Sequence, residues 1–292
     1  MVNASTARYR IEALAARAAL ALFGALPVDA ASAVGGWLGR RIGPLLTAHR
    51  TARRNLRRAF PEMSDADIAR TLVRMWDNLG RVAAEYAHLE TIANDPARVQ
   101  IIDPDGIAAG LRDDSKGSLM VSAHFGNWEL ALLPSYRAGL NQVSFYRAPN
   151  NPFVSVLVQR LRGRLGAGRF LPKSAEGARQ ALAMLKVGAH IAMLVDQKQN
   201  EGIAVPFFGR DAMTTPAPAA FAQRMRVPIV AAKVERVDGA RFRITAFGVE
   251  QAQSGDRRAD VAETTRRINA LFEGWIRARP EQWFWVHRRW PE

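Results

Sequence analysis

The stretch that decides the fold is GSLMVSAHFGNWE, at residues 117–129. Its uncharged run at 118–123 is bounded by a glycine and by His124, which is typical of a short buried strand. A helix is predicted to begin near Asn127, so that a strand, a tight turn and a helix follow one another directly. This order predicts one unit of an α/β fold, with His124 at the carboxyl end of its strand.

The same alternation continues through the rest of the chain. Further strands are predicted at 142–147, 190–195, 228–237 and 241–247, and helices at 151–165, 174–186, from Thr215 and at 260–277. Strands that alternate with helices predict an α/β sandwich with a mostly parallel sheet. Ligands of such sheets gather beyond the carboxyl ends of the strands, where His124 and Asp196 are both predicted to lie.

The first hundred residues are rich in Ala, Leu and Arg and are predicted to form a helical layer broken by prolines. Uncharged runs at 18–28 and 30–39 are each far shorter than the roughly 20 apolar residues that cross a membrane. Because many basic residues follow closely, from Arg40 to Arg58, we interpret residues 1–45 as a membrane-interacting N-terminal helical segment and residues 46–292 as a second domain. An ordinary helix packed on the domain is the alternative for the first segment.

The charge of the chain favours an anionic partner. Lys and Arg together number 41 against 27 Asp and Glu, which gives a formal net charge of +14. Such an excess suits a phospholipid surface, a nucleic acid, a phosphorylated substrate or an acidic protein. An arginine-rich composition without functional meaning is the alternative.

Two residues of the 117–129 stretch carry the clearest chemistry, His124 and Glu129. A turn at Gly126 would fold the carboxylate back beside the imidazole, which would fix its tautomer and raise its basicity, as a general base requires. Asn127 in the same turn is expected to contact the substrate. A structural histidine that caps a helix is the alternative.

Several other chemistries are excluded or disfavoured. The absence of cysteine excludes disulfides, thiolate nucleophiles and cysteine-bound zinc. There is no Gly-x-Ser-x-Gly motif for a covalent serine route. His124 and Glu129 are not four residues apart and no third histidine is near, so no metal is expected. No glycine-rich phosphate loop indicates a nucleotide, and no cofactor is expected.

The motif HFGNWE at 124–129 resembles the signature of the late acyltransferases of lipid A biosynthesis, the lauroyl and myristoyl type within the lysophospholipid and glycerol-phosphate acyltransferase superfamily. Further blocks similar to that family follow in order and together span about residues 50 to 290. They are NLRRAFPE at 55–62, YR at 146–147, NP at 151–152 with Arg162 and Arg164, DQ at 196–197, PFFG at 206–209, TT at 214–215 and QWFWVHRRW at 282–290.

The resemblance implies a glycerol-phosphate-acyltransferase-like α/β sandwich and a set of residue roles. His124 would be the general base and Glu129 its charge partner. Asp196 would position the histidine or an acceptor hydroxyl. Binding of a phosphate or of the donor's phosphopantetheine would fall to Arg147, Arg162 and Arg164, because guanidinium forks suit phosphate oxygens. Residues 148–150 depart from the family pattern, which has a more polar and basic string there.

The predicted function is transfer of a fatty acyl chain from an acyl carrier protein thioester to a hydroxyl of a lipid A precursor. It would take place on the cytoplasmic face of the cell inner membrane, without nucleic acid. Three alternatives stay open: another membrane glycolipid as acceptor, a membrane-surface hydrolase that activates water, and a silent lipid-binding protein.

Two further features of the sequence have two interpretations each. PFFG at 206–209 is either a packed turn or part of an acyl groove. The tryptophan-rich end either closes the core or, with Arg288 and Arg289, anchors the protein at a membrane interface. His190 and His287 are interpreted as structural.

Overall fold

The computed structural model describes residues 4–113, 116–146, 150–165 and 169–291. The helices are α1 (Ala4–Gly24), α2 (Val28–Ile42), α3 (Ala48–Ala59), α4 (Asp65–Glu85), α5 (Leu89–Asn94), α6 (Ile107–Asp113), α7 (Leu133–Arg137), α8 (Pro152–Gly163), α9 (Ala175–Lys186), α10 (Ala217–Met225) and α11 (Arg257–Ala278). The strands are β1 (Val99–Ile102), β2 (Ser118–Ser122), β3 (Gln142–Tyr146), β4 (Arg169–Pro172), β5 (His190–Leu194), β6 (Ile203–Phe207), β7 (Arg210–Thr214), β8 (Ile229–Asp238) and β9 (Arg241–Val249).

The main sheet has seven strands in the order β1-β9-β8-β2-β5-β3-β4. Its neighbouring strands are parallel except for the antiparallel hairpin of β8 and β9, while β6 and β7 form a separate hairpin. The predictions of an α/β fold, of a mostly parallel sheet and of a helical N-terminal region are confirmed. Because every residue of β2 is buried, this strand reads as one continuous apolar run in the sequence.

The register of the central strands sets the position of the site. β2 and β5 are parallel, with Ser122 opposite Leu194. His124 and Asp196 each follow the last residue of their strand by two positions, so they emerge side by side at one edge of the sheet. The fold therefore brings together two residues that are 72 positions apart in the chain.

The sequence did not predict β1, β4, β6 or β7. β1 and β4 are four-residue strands at the two edges of the sheet, too short to show a period. The hairpin of β6 and β7 contains Pro206, which argues against a strand on sequence grounds. The helix predicted near Asn127 is instead a single 3-10 turn at Trp128–Leu130, followed by the short α7.

Aromatic side chains of the C-terminal segment close the core. Trp283, Trp285 and Trp290 are at most 3% exposed, and they pack around Phe207 and Phe208 at the turn of the β6–β7 hairpin. Of the two interpretations of this segment, core closure is the one that the structure shows. The PFFG block is likewise a packed turn.

The N-terminal helices pack on the body through glycines. A Cβ atom on Gly39 would lie 2.1 Å from the carbonyl oxygen of Trp76, and one on Gly80 would lie 2.1 Å from that of Gly35. The backbones of α2 and α4 therefore touch directly, which only glycine allows. Within the described ranges, no helix is both long enough and apolar enough to cross a membrane.

We expect Gly80→Ala to reduce the free energy of unfolding by about 1–3 kcal/mol, because the added methyl group forces α2 away from α4. Gly274→Ala is the matched control, since a Cβ at that helical position meets nothing within 4 Å. It should instead stabilise the protein by about 0.5–1 kcal/mol through helix propensity. Urea unfolding followed by circular dichroism measures both. Equal effects of the two substitutions would contradict the close packing of α2 on α4.

Candidate active site

His124 is held by Asp196. The ring Nδ1 lies 2.7 Å from Asp196 Oδ1, and the backbone N–H of His124 donates to Asp196 Oδ2 at 2.9 Å. Trp283 Nε1 donates to the same Oδ2 at 2.8 Å. Asp196 has no exposed surface, while the His124 side chain keeps 17% of its own. The carboxylate is thus fixed from three sides and the imidazole stays accessible.

The charge state of Asp196 fixes the tautomer of the imidazole. Burial alone would raise the pKa of Asp196, but the charge and hydrogen bonds of His124 outweigh it and hold that pKa well below its ordinary value. Asp196 is therefore ionised at neutral pH and can only accept hydrogen bonds. It follows that Nδ1 carries the hydrogen and that Nε2 is the nitrogen left with a lone pair.

Two aromatic rings flank the imidazole. Trp128 lies 5.3 Å from it and Phe284 lies 5.7 Å from it, between ring centroids. Phe284 is also joined to the histidine through the backbone, because its N–H donates to the His124 carbonyl oxygen at 3.0 Å. The C-terminal segment therefore forms one wall of the site.

Glu129 does not occupy the place that the sequence analysis gave it. Arg162 binds it through two hydrogen bonds of 2.6 Å, and Tyr86 and Trp128 also donate to Oε1. Burial would raise the pKa of Glu129, but the Arg162 contacts outweigh burial and lower that pKa. The carboxylate expected on the imidazole is thus paired with a guanidinium, and Asp196 stands in its place.

A buried polar network lies beneath the turn after His124. Gly126 adopts φ +60°, and a Cβ there would lie 2.0 Å from the Val234 carbonyl oxygen. Asn78 donates to the Gly126 carbonyl oxygen at 3.1 Å, and Arg236 donates to Asn78 at 2.8 Å. The turn is therefore supported from α4 and from β8 at once.

The centre of this network is the ion pair of Glu85 and Arg236. Arg236 binds both carboxylate oxygens, at 2.5 and 2.9 Å. Ser32 of α2 donates to the same carboxylate at 2.7 Å and Asn127 donates to it at 2.8 Å. Asn127, expected to contact substrate, is fully buried, and its side-chain oxygen accepts from Glu129 N. The structure places Asn127 under the turn rather than in the open site.

The arginines predicted to bind phosphate differ in their surroundings. Arg162 is engaged by Glu129, and its guanidinium also lies 5.0 Å from the centre of the Tyr146 ring. Arg164 is exposed at the C-terminal cap of α8. Arg147 lies outside the described residues. The structure thus leaves Arg164 with a solvent-facing position, while the fork of Arg162 already faces a carboxylate of the protein.

An apolar groove begins at Trp128, whose ring centroid lies 5.3 Å from that of His124. It has about 770 Å³ of empty volume, including its open mouth. Its lining includes the polar side chains of Glu129 and Arg162, and the carboxyl-terminal halves of β2, β3 and β5. The apolar lining residues include Met120, Leu132, Leu133, Phe145, Leu165, Phe170 and Met193. A slender apolar ligand with one polar end fits such a lining.

His287 and Arg289, which the sequence analysis did not assign to the site, lie close to Asp196. Neither ring nitrogen of His287 has a hydrogen-bond partner among the described residues, although both are buried. Arg289 has no exposed surface and donates to Met213 O and Thr214 Oγ1. Burial lowers its pKa to about 10, offset in part by Asp196. Nothing in the local sequence distinguishes the buried Arg289 from its exposed neighbour Arg288.

No group of metal-binding side chains stands out in the described part of the chain. Three or more His, Asp or Glu residues do not converge there in a way that would hold a metal ion. His124 and Asp196 pair with each other, and Glu129 pairs with Arg162. The described groups that could take part in chemistry at the site are therefore an imidazole, its carboxylate and an apolar groove.

Comparison with known proteins identifies the class of enzyme. The family model described as bacterial lipid A biosynthesis acyltransferase matches residues 4–292. The chain belongs to that family and is an acyltransferase. A curated relative, the lipid A biosynthesis lauroyltransferase of Escherichia coli (strain K12), is 25% identical over 244 residues, which cover 81% of this chain and 76% of that protein.

We expect His287 to make the protein sensitive to acid. Burial lowers the pKa of His287 from 6.5 to about 4, so the unfolded chain takes up a proton at a higher pH than the folded protein does. Its contribution to stability is complete above pH 6.5 and is lost as the pH falls toward 4. The loss amounts to about 3 kcal/mol of unfolding free energy.

Urea unfolding of wild type and His287→Gln at several pH values between 7 and 4 measures this contribution. The variant lacks the titrating group, so its stability should fall less steeply over that range. Parallel curves for the two proteins would show that folding does not shift the pKa of His287.

Proposed function

We propose that the protein transfers a fatty acyl chain from an acyl carrier protein thioester to a hydroxyl of a lipid A precursor, with His124 as the general base. One observation carries the proposal in this acyltransferase. His124 is bound by ionised Asp196 through Nδ1, keeps part of its side chain accessible, and lies 5.3 Å from the ring of Trp128, which lines the apolar groove. The names of the family and of the curated relative support lipid A as the acceptor.

The reaction follows from the tautomer. His124 Nε2 takes the proton of the acceptor hydroxyl as its oxygen attacks the thioester carbonyl carbon. The C–S bond of the resulting tetrahedral intermediate then breaks, and the departing sulfur receives the proton from Nε2. Asp196 stabilises the imidazolium that exists between the two proton transfers. No covalent intermediate with the protein is required.

Glu129 has a different part in this proposal from the one the sequence suggested. Its pair with Arg162 joins the turn after His124 to α8, and both side chains line the polar end of the groove. The acyl chain would lie along the apolar lining with its thioester near Trp128. Arg164, with Arg147, is proposed to meet phosphates of the donor or acceptor.

We further propose that the protein works on the cytoplasmic face of the inner membrane and lies on its surface through residues 1–45 and the turn after them. Large apolar side chains are exposed in this region, among them Ile11, Leu14, Leu22, Trp37, Ile42, Leu45 and Leu46. Arg40 and Arg41 lie beside them at the end of α2. Exposed apolar side chains next to cations are typical of interfacial binding.

The function is tested by mass spectrometry of a tetra-acylated lipid A precursor incubated with acyl carrier protein thioesters. Wild type should add one acyl group. His124→Ala should reduce kcat by about 10²–10⁴, because the base is lost. Asp196→Asn should be similarly damaging. Oδ2 accepts two N–H groups, so the new amide would face Nδ1 and move the ring proton to Nε2.

The double variant His124→Ala/Asp196→Asn should be no slower than His124→Ala alone, since the two residues act as one unit. Release of free fatty acid without a gain in acceptor mass would support the hydrolase. A mass gain only with another glycolipid would keep the reaction and change the acceptor. Unchanged turnover of His124→Ala would rule out His124 as the general base.

We expect Leu45→Ser/Leu46→Ser to weaken binding to phosphatidylglycerol-containing vesicles at least tenfold, as measured by co-sedimentation. Each leucine side chain that no longer enters the hydrocarbon removes about 2 kcal/mol of binding free energy. Leu45 is 82% exposed, so the fold should tolerate the change. Val187→Ser is the matched control, since Val187 is 77% exposed but lies after α9. Equal vesicle binding by the two variants would show that this turn does not contact the membrane.

A further inference from the structure

Helix α3 has an unusual concentration of positive charge. Its twelve residues, AHRTARRNLRRA, include five arginines and no acidic residue. Several of the arginines are three or four positions apart, an arrangement of like charges that destabilises a helix. Asp65 accepts from Arg57 and lies 3.6 Å from Arg53. Repulsion among these arginines therefore destabilises the helix, and the burial of its apolar face does not require them.

The inward face of α3 provides the packing. Ala52, Leu56 and Ala59 are buried, so the apolar residues of the helix all point into the core. The arginines lie on the other side and, with Arg210 from the β6–β7 hairpin, line an open groove with about 840 Å³ of empty volume, including its open mouth. Its described lining residues are Arg50, Arg53, Arg54, Arg57, Arg58 and Arg210. We call this surface the arginine groove.

The arginine groove is directly attached to the wall of the active site. Asn55 of α3 donates to the backbone oxygens of Trp285 and His287, at 2.8 and 2.6 Å. The same C-terminal segment supplies Phe284, whose backbone N–H is bonded to the His124 carbonyl oxygen. A partner bound to α3 would therefore be one element away from the catalytic histidine.

We propose that the arginine groove is the docking surface for an acidic carrier protein that delivers the acyl thioester. This proposal rests on the proposed function for its donor. Charge complementarity identifies the partner, because guanidinium forks bind carboxylates in pairs and an acidic helix can present several carboxylates to one groove. Docking beside the C-terminal segment brings the thioester arm to the mouth of the acyl groove.

A bilayer fits this surface less well. A membrane-binding face combines cations with apolar side chains that enter the hydrocarbon. The arginine groove has no apolar lining residue among those described. The exposed apolar residues Ile42, Leu45 and Leu46 precede α3 instead. The two surfaces are adjacent, which would let the carrier bind an enzyme that already lies on the membrane.

The test measures binding of fluorescently labelled bacterial holo acyl carrier protein to the full-length protein. Arg50→Glu/Arg53→Glu should weaken binding at least about tenfold, and salt should weaken binding of the wild type in the same way. Arg50→Lys/Arg53→Lys keeps the charge and should stay within about threefold of wild type. Thermal unfolding checks the fold of each variant. A glutamate at position 50 suits the first turn of α3.

Arg257→Glu/Arg258→Glu is the matched control, because it changes the net charge equally at exposed positions in the first turn of α11. Carrier binding should be unchanged in this variant. Equal losses in the two glutamate variants, or no loss in Arg50→Glu/Arg53→Glu, would overturn the docking surface. The docking surface would also be overturned if Arg50→Glu/Arg53→Glu lost binding to phosphatidylglycerol vesicles but kept binding to the carrier, because the groove would then bind the membrane.

Failure of docking and failure of the proposed function are distinguishable, because carrier binding is measured without turnover. Loss of carrier binding in Arg50→Glu/Arg53→Glu would support docking even if no lipid A precursor gained mass. A wild-type protein that does not bind the carrier would overturn docking, while a mass gain in the transfer assay would still support acyl transfer.

Discussion

The ion pair between Glu85 and Arg236 is the interaction on which the rest of the site depends. Both side chains are buried, and removal of one would leave the other as an uncompensated charge in the core. Around them converge Ser32 from α2, Asn78 from α4 and Asn127 from the turn after His124. One ion pair therefore joins the N-terminal helices, the sheet and the turn after His124, and it supports a glycine conformation that the turn needs.

Two carboxylates near His124 have separate tasks because their partners differ. Asp196 receives hydrogen bonds from the imidazole, from a backbone N–H and from an indole, so it orients the imidazole. Glu129 is neutralised by Arg162, so it connects α8 to the turn and gives the groove a polar end. Each acid is ionised and buried, and the specific cation or donor beside it makes that possible.

The sequence predicted the parts of the protein that depend on local pattern. The apolar run before His124 identified the central strand, and the strand order placed His124 and Asp196 at the same kind of position. The pairing of Glu129 was different because three residues of 3-10 turn replaced the predicted helix and directed its carboxylate toward α8. Glu85 and Arg236 are 151 positions apart, and no single-sequence pattern links residues at such a distance. The same holds for Arg289, which looks like a surface cation in the sequence.

The C-terminal segment has a consequence for the order in which the enzyme is made. Gln282, Trp283 and Phe284 provide hydrogen bonds to Arg236, Asp196 and His124, respectively. A ribosome releases these three residues only after almost all of the preceding chain has emerged. The nascent polypeptide can therefore assemble its sheet and helices while Asp196 still lacks its indole donor and His124 lacks one wall. The surroundings of the imidazole are therefore complete only after residues 282–284 have been added and have packed against the sheet.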